Sequence, residues 1–329
     1  MSFDRIGVVG GGAWGTALAQ VAASEGREVL LWAREPEVVE AVNSRHENSV
    51  FLPDRPLDPA IRATDRLSDL ADCGAWLMVT PAQHMRSVLS EASDAAKPLV
   101  LCSKGIEEGS GELLHRVASQ TCPNAPIAVL SGPTFAHEVA AGLPTAVTLA
   151  AEDERLGEQL RDRISRPTFR VYLSDDVAGA EIGGAVKNVL AIACGVVEGA
   201  GLGQNARAAL IARGFAEMTR FGLANGARRE TLAGLSGLGD LVLTCSSTSS
   251  RNFSLGKGIG EGQSARELMA DRKTVAEGAF TAPVLAKLAA SKGIDMPIVA
   301  AVAKLLSGAA NVRDVLEELL ARPPRPEAH

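Results

Sequence analysis

At 329 residues, with 46% hydrophobic and 22% charged side chains, the chain is long enough for two well-buried domains and lies far from the composition of disordered proteins. Its 33 basic and 39 acidic side chains give a net charge of −6, the wrong sign for a footprint on nucleic acid or anionic lipid. The expected partner is therefore a small molecule, with any anionic group held at a local basic site.

From Ile6 to about Leu149, short apolar runs rich in β-branched residues alternate with stretches of helical character, the pattern of βαβ units around a parallel sheet. The predicted strands are Ile6–Val9, Val29–Trp32, Ala75–Val79, Leu99–Cys102, Ile127–Leu130 and Ala146–Leu149, with a closely packed helix over Thr16–Ser24. Beyond Asp175 the strand-like runs give way to helical spacing. Helices are predicted over Val177–Val197, Arg207–Asn225, Arg229–Ala233, Ser264–Met269, Thr281–Lys292, Ile298–Leu306 and Val312–Ala321. The apolar stretch Val186–Val197 contains Asn188 and Lys187 and is too short to span a bilayer, and no basic-then-apolar leader opens the chain, so a cytoplasmic location is expected. Arg322–His329, with three prolines, reads as a disordered tail.

Gly10, Gly12 and Gly15 fill a G-x-G-x-x-G fingerprint directly after the first strand and at the start of the first helix. In that context Gly10 permits a tight turn, Gly12 lets backbone approach a pyrophosphate, and Gly15 allows close helix–strand contact. The fold expected is α/β, with a Rossmann-type doubly wound sheet in a dinucleotide-binding domain (1–175) and an all-helical substrate and catalytic domain (176–329). At the end of the second strand, where a carboxylate would hold the ribose of NAD, stands Arg34. A guanidinium suits a 2′-phosphate, so NADP(H) is the preferred cofactor, with NAD(H) possible if Glu35 turns inward.

Lys104 follows the fourth strand toward the same crevice, and Gly132, Pro133 and Thr134 form a turn after the fifth. Lys187 interrupts a small, apolar helical run. It is either a proton donor and acceptor whose pKa burial lowers, or a lysine whose stem packs while its charge reaches water. Gly234–Asp240 is a glycine-rich loop ending in a carboxylate, and Ser250, Arg251 and Asn252 suit a phosphate oxyanion at a helix start. The five cysteines form no C-x-x-C pair, and the histidines lack metal-ligand spacing, so neither disulfides nor a metal is expected.

Taken in order, the segments G-G-G-A-W-G-T-A-L-A, C-S-K-G-I-E, S-G-P-T-F-A-H-E, A-V-K-N-V, G-L-S-G-L-G-D-L, S-S-R-N and V-A-E-G resemble those of the bacterial NAD(P)-dependent sn-glycerol-3-phosphate dehydrogenases. The match runs from Ile6 to about Pro297. The resemblance implies reduction of dihydroxyacetone phosphate to sn-glycerol 3-phosphate, supplying phospholipid synthesis, in a homodimer. It implies Lys187 as proton donor, and Lys104, Gly132, Thr134, Asp240, Ser250, Arg251 and Asn252 as substrate contacts, in a cleft between the domains, with Asp240 orienting the Lys187 ammonium. For the cofactor it implies the glycine loop with Ala13 and Trp14, then Arg34, Lys104, Ala136, Arg251, Val275 and Glu277. Ala13 stands where this family commonly has serine, which removes a hydroxyl contact and leaves the backbone cradle. Three alternatives stay open on the residues themselves: a hydroxy-acid dehydrogenase or ketopantoate reductase, which needs no phosphate grip at Arg251; a UDP-sugar dehydrogenase using Cys194 as nucleophile; and a non-catalytic NADPH sensor.

Overall fold

The computed structural model describes residues 3–270 and 276–323. Two compact units are present: Met1–Gly184 with Gly222–Asp240, and Ala185–Phe221 with Leu241–His329.

The first unit is built on an eight-stranded sheet. Its strands are β1 (Ile6–Val9), β2 (Val29–Trp32), β5 (Ile61–Thr64), β6 (Ala75–Met78), β7 (Leu99–Leu101), β8 (Ile127–Ser131), β9 (Thr145–Ala151) and β10 (Phe169–Ser174), while β3 (Glu47–Asn48) and β4 (Leu52–Pro56) form a separate ribbon. The order across the sheet is β10-β9-β8-β7-β6-β1-β2-β5. All four residues of β1 are buried, as the continuous apolar run requires of a strand covered on both faces. Val8 packs with Leu18, Val38 and Leu160 on one face, and its neighbour Val9 packs with Met85, Leu114 and Val177 on the other. The doubly wound architecture follows from that alternation.

The predicted all-parallel pattern fails at one place. β9 pairs antiparallel with β8, and β10 runs parallel to β9. The connection from Ser131 to Thr145 contains only the five-residue helix Ala136–Ala140, too little to carry the chain back across the sheet for a parallel crossover. β5 and β10 do not show among the apolar runs for a related reason. They are the two edges of the sheet, and the exposed Arg62 and Arg170 break the continuity that marks central strands.

The second unit is helical among its described residues. The helix Val177–Gly199 begins in the first unit and continues into the second as 23 residues, longer than the apolar run suggests. By length and composition it is enough to cross a membrane, yet its most apolar window is wholly buried in this structure. Helix Arg251–Gly260, masked in the sequence by its glycines, packs backbone to backbone against it. A Cβ on Gly195 would lie 2.0 Å from the Phe253 carbonyl, and one on Gly256 would lie 1.9 Å from that of Ile192. The glycines that disfavour an isolated helix are what let these two meet, so tertiary packing overrides propensity.

Helix Pro297–Ser307 is capped by a tertiary partner. Glu217, buried on helix Gly203–Leu223, accepts the amides of Ile298 (2.8 Å) and Val299 (3.2 Å). Burial pushes its carboxyl up to about 7, against the opposing pull of those two amides. The folded state thus keeps a proton that the unfolded chain releases near the ordinary carboxylate value. The stability associated with that proton is fully present below about 4.5 and is lost as pH rises through about 7. The urea midpoint of the native chain is expected to fall between pH 5 and 8, and that of Glu217→Gln to stay flatter. An equal slope in both would assign the pH dependence to other groups.

Candidate active site

β1 ends at Val9, and the glycine loop turns from it into helix Ala13–Ala23. Gly10 sits at φ +129°, and a Cβ there would lie 2.9 Å from the backbone of Val79; one on Gly15 would lie 1.8 Å from the Gly10 carbonyl. Only glycine satisfies both positions. At Gly12, by contrast, a Cβ would meet nothing within 4 Å, so the space above the loop is open. Gly12 caps a helix whose first turn carries no acidic residue, and the helix dipole favours an anion there. Trp14 Nε1 is buried without a hydrogen-bond partner among the described residues, and Trp14 and Ala136 border the same apolar cluster. Arg34 is exposed just beyond β2 and forms no ion pair among the described residues, whereas Glu35 is only half-buried as the residue capping helix Pro36–Arg45. Open space, an unopposed helix start and an exposed guanidinium together fit a phosphorylated dinucleotide.

A second group of residues in this unit surrounds Lys104. Its ammonium donates to Asp240 Oδ2 at 2.6 Å and to the Gly132 carbonyl at 3.0 Å, and the Thr134 hydroxyl donates to the same carbonyl at 3.3 Å. Asp240 is fully buried. It is delivered by Leu235–Gly239, a π-helical turn in which the Gly239 amide bonds the Gly234 carbonyl at 3.0 Å, so the glycine-rich loop of the sequence is a wound turn. Close by in the chain, Ser103 donates to the Thr80 carbonyl at 2.5 Å, fixing the segment that carries Lys104.

In the second unit Lys187 is buried, 6% exposed, and donates to Thr244 Oγ1 at 2.8 Å. The snorkelling alternative therefore does not describe it. Thr244 does not stand out in the sequence. Its one signal is its place one helical turn after Asp240 in helix Asp240–Thr244. Ser250 caps helix Arg251–Gly260 by accepting the Phe253 amide at 3.2 Å, and Arg251 is exposed as the first helical residue. Asn252 is buried: its Nδ2 donates to Asn188 Oδ1 at 3.0 Å and its Oδ1 accepts the Gly278 amide at 2.9 Å. Its side chain thus ties together three segments of this unit. Glu277 opens helix Glu277–Ser291 close enough for its charge to act on Arg251. Val275 lies outside the described residues. Cys194 is fully buried, which removes it as an accessible nucleophile.

Relatives of known activity match both halves of the chain. Residues 5–157 match the family described as NAD-dependent glycerol-3-phosphate dehydrogenase N-terminus, and residues 176–317 match the C-terminus of the same family. The chain is 66% identical over 98% of both sequences to glycerol-3-phosphate dehydrogenase [NAD(P)+] of Erythrobacter litoralis, and 67% identical, again over 98% of each, to that of Novosphingobium aromaticivorans. Among solved structures, the glycerol-3-phosphate dehydrogenase of Coxiella burnetii superposes with a TM-score of 0.92 at 39% identity, covering 97% of this chain and 99% of its own. A ketopantoate reductase from Ralstonia eutropha has a TM-score of 0.61 at 14% identity, covering 96% of this chain and 99% of its own, a likeness of fold alone. With both halves matched and relatives of this identity, the chain belongs to the NAD-dependent glycerol-3-phosphate dehydrogenase family and is an oxidoreductase.

Proposed function

We propose that Lys187 supplies the proton when the chain reduces dihydroxyacetone phosphate to sn-glycerol 3-phosphate with NAD(P)H. The observation that carries this reading is the buried Lys187 ammonium, held by the Thr244 hydroxyl in a helix composed mostly of small and apolar residues. NAD(P)H, when bound, would supply the hydride. As negative charge gathers on the substrate carbonyl oxygen, Lys187 Nζ stabilises it and transfers its proton to that oxygen. The Thr244 hydroxyl fixes the direction of Nζ. Lys104, neutralised in part by Asp240, adds positive charge without the cost of an unpaired buried ammonium. Arg251, exposed at a helix start beside the Ser250 cap, binds the substrate phosphate, so that remote binding energy orients the ketone. Asn252 supports that grip chiefly by holding Asn188 and Gly278 in register. Gly132 and Thr134 complete the substrate contacts.

For the cofactor, the reading assigns the pyrophosphate to Gly10, Gly12, Ala13, Trp14 and Gly15, the 2′-phosphate to Arg34, and further contacts to Lys104, Ala136, Arg251 and Glu277. It keeps residues 1–175 as the cofactor domain and 176–329 as the catalytic one. A cytoplasmic homodimer feeding phospholipid synthesis accords with the family.

The test is oxidation of NADPH and, separately, NADH by the purified chain, with dihydroxyacetone phosphate and with unphosphorylated dihydroxyacetone. Turnover that requires the phosphate is expected; equal turnover of both ketones would remove the Arg251 grip. Arg34→Ala is expected to raise the KM for NADPH roughly tenfold, as loss of a charge-assisted pair implies, and to leave that for NADH within twofold. Equal losses for both cofactors would show that Arg34 does not read the 2′-phosphate.

A further inference from the structure

Against the glycine loop lies a buried polar group that the mechanism does not use. Asn48 in β3 is fully buried, and its Nδ2 donates to the Gly11 carbonyl at 2.8 Å and to Thr16 Oγ1 at 2.8 Å. Its Oδ1 accepts the Phe51 amide at 3.2 Å, so the amide's orientation is fixed from both ends. Thr16, also fully buried, donates to the same Gly11 carbonyl at 3.4 Å. A buried asparagine with both polar atoms of its side chain engaged is a costly choice for a two-residue strand unless the carbonyl it holds matters.

The planar trans peptide carries that hold across to the next residue. The carbonyl of Gly11 and the amide N–H of Gly12 belong to one rigid unit and point in opposite directions. Drawing the carbonyl toward Asn48 therefore turns the Gly12 N–H the opposite way, at a residue where a Cβ would meet nothing within 4 Å. That N–H makes no backbone hydrogen bond among the described residues, although the next turn of the helix is closed by the Thr16 amide on the Gly12 carbonyl at 2.9 Å. Gly11 packs closely on Ala33, since a Cβ there would lie 2.4 Å from that of Ala33, so a side chain at this position would displace the loop.

We propose that Asn48 is a positioning residue for the cofactor: by holding the Gly11 carbonyl it aims the Gly12 amide at the pyrophosphate. The inference rests on the reading of the glycine loop as the pyrophosphate cradle. Asn48→Ala removes the donor, and Asn48→Asp keeps the shape and the Phe51 acceptor but sets an oxygen against the Gly11 carbonyl. In fluorescence titrations both variants are expected to raise the dissociation constant for NADPH and for NADH about tenfold. At saturating cofactor, kcat and the KM for dihydroxyacetone phosphate are expected to stay within twofold of the native chain. Dissociation constants within twofold of native would overturn the proposal. So would a matching fall in kcat, or failure of both variants to fold, since each would make Asn48 a residue of general structure. Gly12→Ala separates the two layers: its backbone is ordinary for alanine and its Cβ clashes with nothing in the protein, so it should fold and bind cofactor weakly. Unchanged binding by Gly12→Ala would bring down the cradle reading itself, whereas weakened binding there with native binding in the Asn48 variants would bring down only the role of Asn48.

Discussion

Lys187→Met is expected to lower kcat by about a thousandfold or more, with the dissociation constant for NADPH within twofold of the native chain. Methionine fills a similar volume and removes both the charge and the proton. A general acid contributes on the order of 10²–10⁴ to rate, and a preorganised charge at a developing oxyanion contributes roughly 10²–10³. The two overlap in one ammonium, so their product is an upper bound. Cofactor affinity is expected to hold because the glycine loop and Lys187 belong to different compact units. Single-turnover reduction followed by NADPH fluorescence separates chemistry from product release. A rate within tenfold of native would mean that the proton reaches the carbonyl oxygen from another group. Thr244→Val should show a smaller loss, because it leaves the ammonium in place and removes only its hydroxyl partner.

Asp240→Asn is expected to cost stability on a scale unusual for a single isosteric change, about 3 kcal/mol by analogy with other broken buried pairs. Asp240 is fully buried and the Lys104 side chain is only 15% exposed, so removing the carboxylate charge leaves an ammonium that water reaches poorly. Lys104→Met should also destabilise the fold, because it removes the ammonium that donates to Asp240 at 2.6 Å. The double variant should cost clearly less than the sum of the two, because no uncompensated charge remains. Denaturant unfolding of the three variants measures this coupling. Strict additivity would show that the pair at 2.6 Å is solvated well enough to act as a surface bridge. Asp240→Asn should also raise the KM for dihydroxyacetone phosphate, since Lys104 then loses the partner that helps hold it against the Gly132 carbonyl.

By itself the sequence determined the doubly wound fold and the cofactor class. Those features rest on local rules. β1 and β2 are apolar runs without a charged residue because strands at the centre of a sheet are covered on both faces, and their predicted bounds, Ile6–Val9 and Val29–Trp32, agree with the structure residue for residue. Gly10 and Gly15 could be read because a positive φ and a close backbone approach admit one residue type. Lys187 was visible as a charge inside a small, apolar run.

Only the tertiary structure decided the rest, because it depends on partners distant in the chain. The edge strands β5 and β10 carry arginines that no apolar run announces, and β9 reverses because its connection is short. Helix Arg251–Gly260 contradicts its own propensity and exists because its glycines meet the backbone of Val177–Gly199. The Lys104–Asp240 pair spans 136 residues, the Lys187–Thr244 bond 57, and the Asn48–Gly11 bond 37. Residue spacing along a helix or strand encodes which face a side chain occupies. It does not encode which remote atom meets it, and in this protein those remote meetings set where each buried charge is held and which way the amide in the glycine loop points.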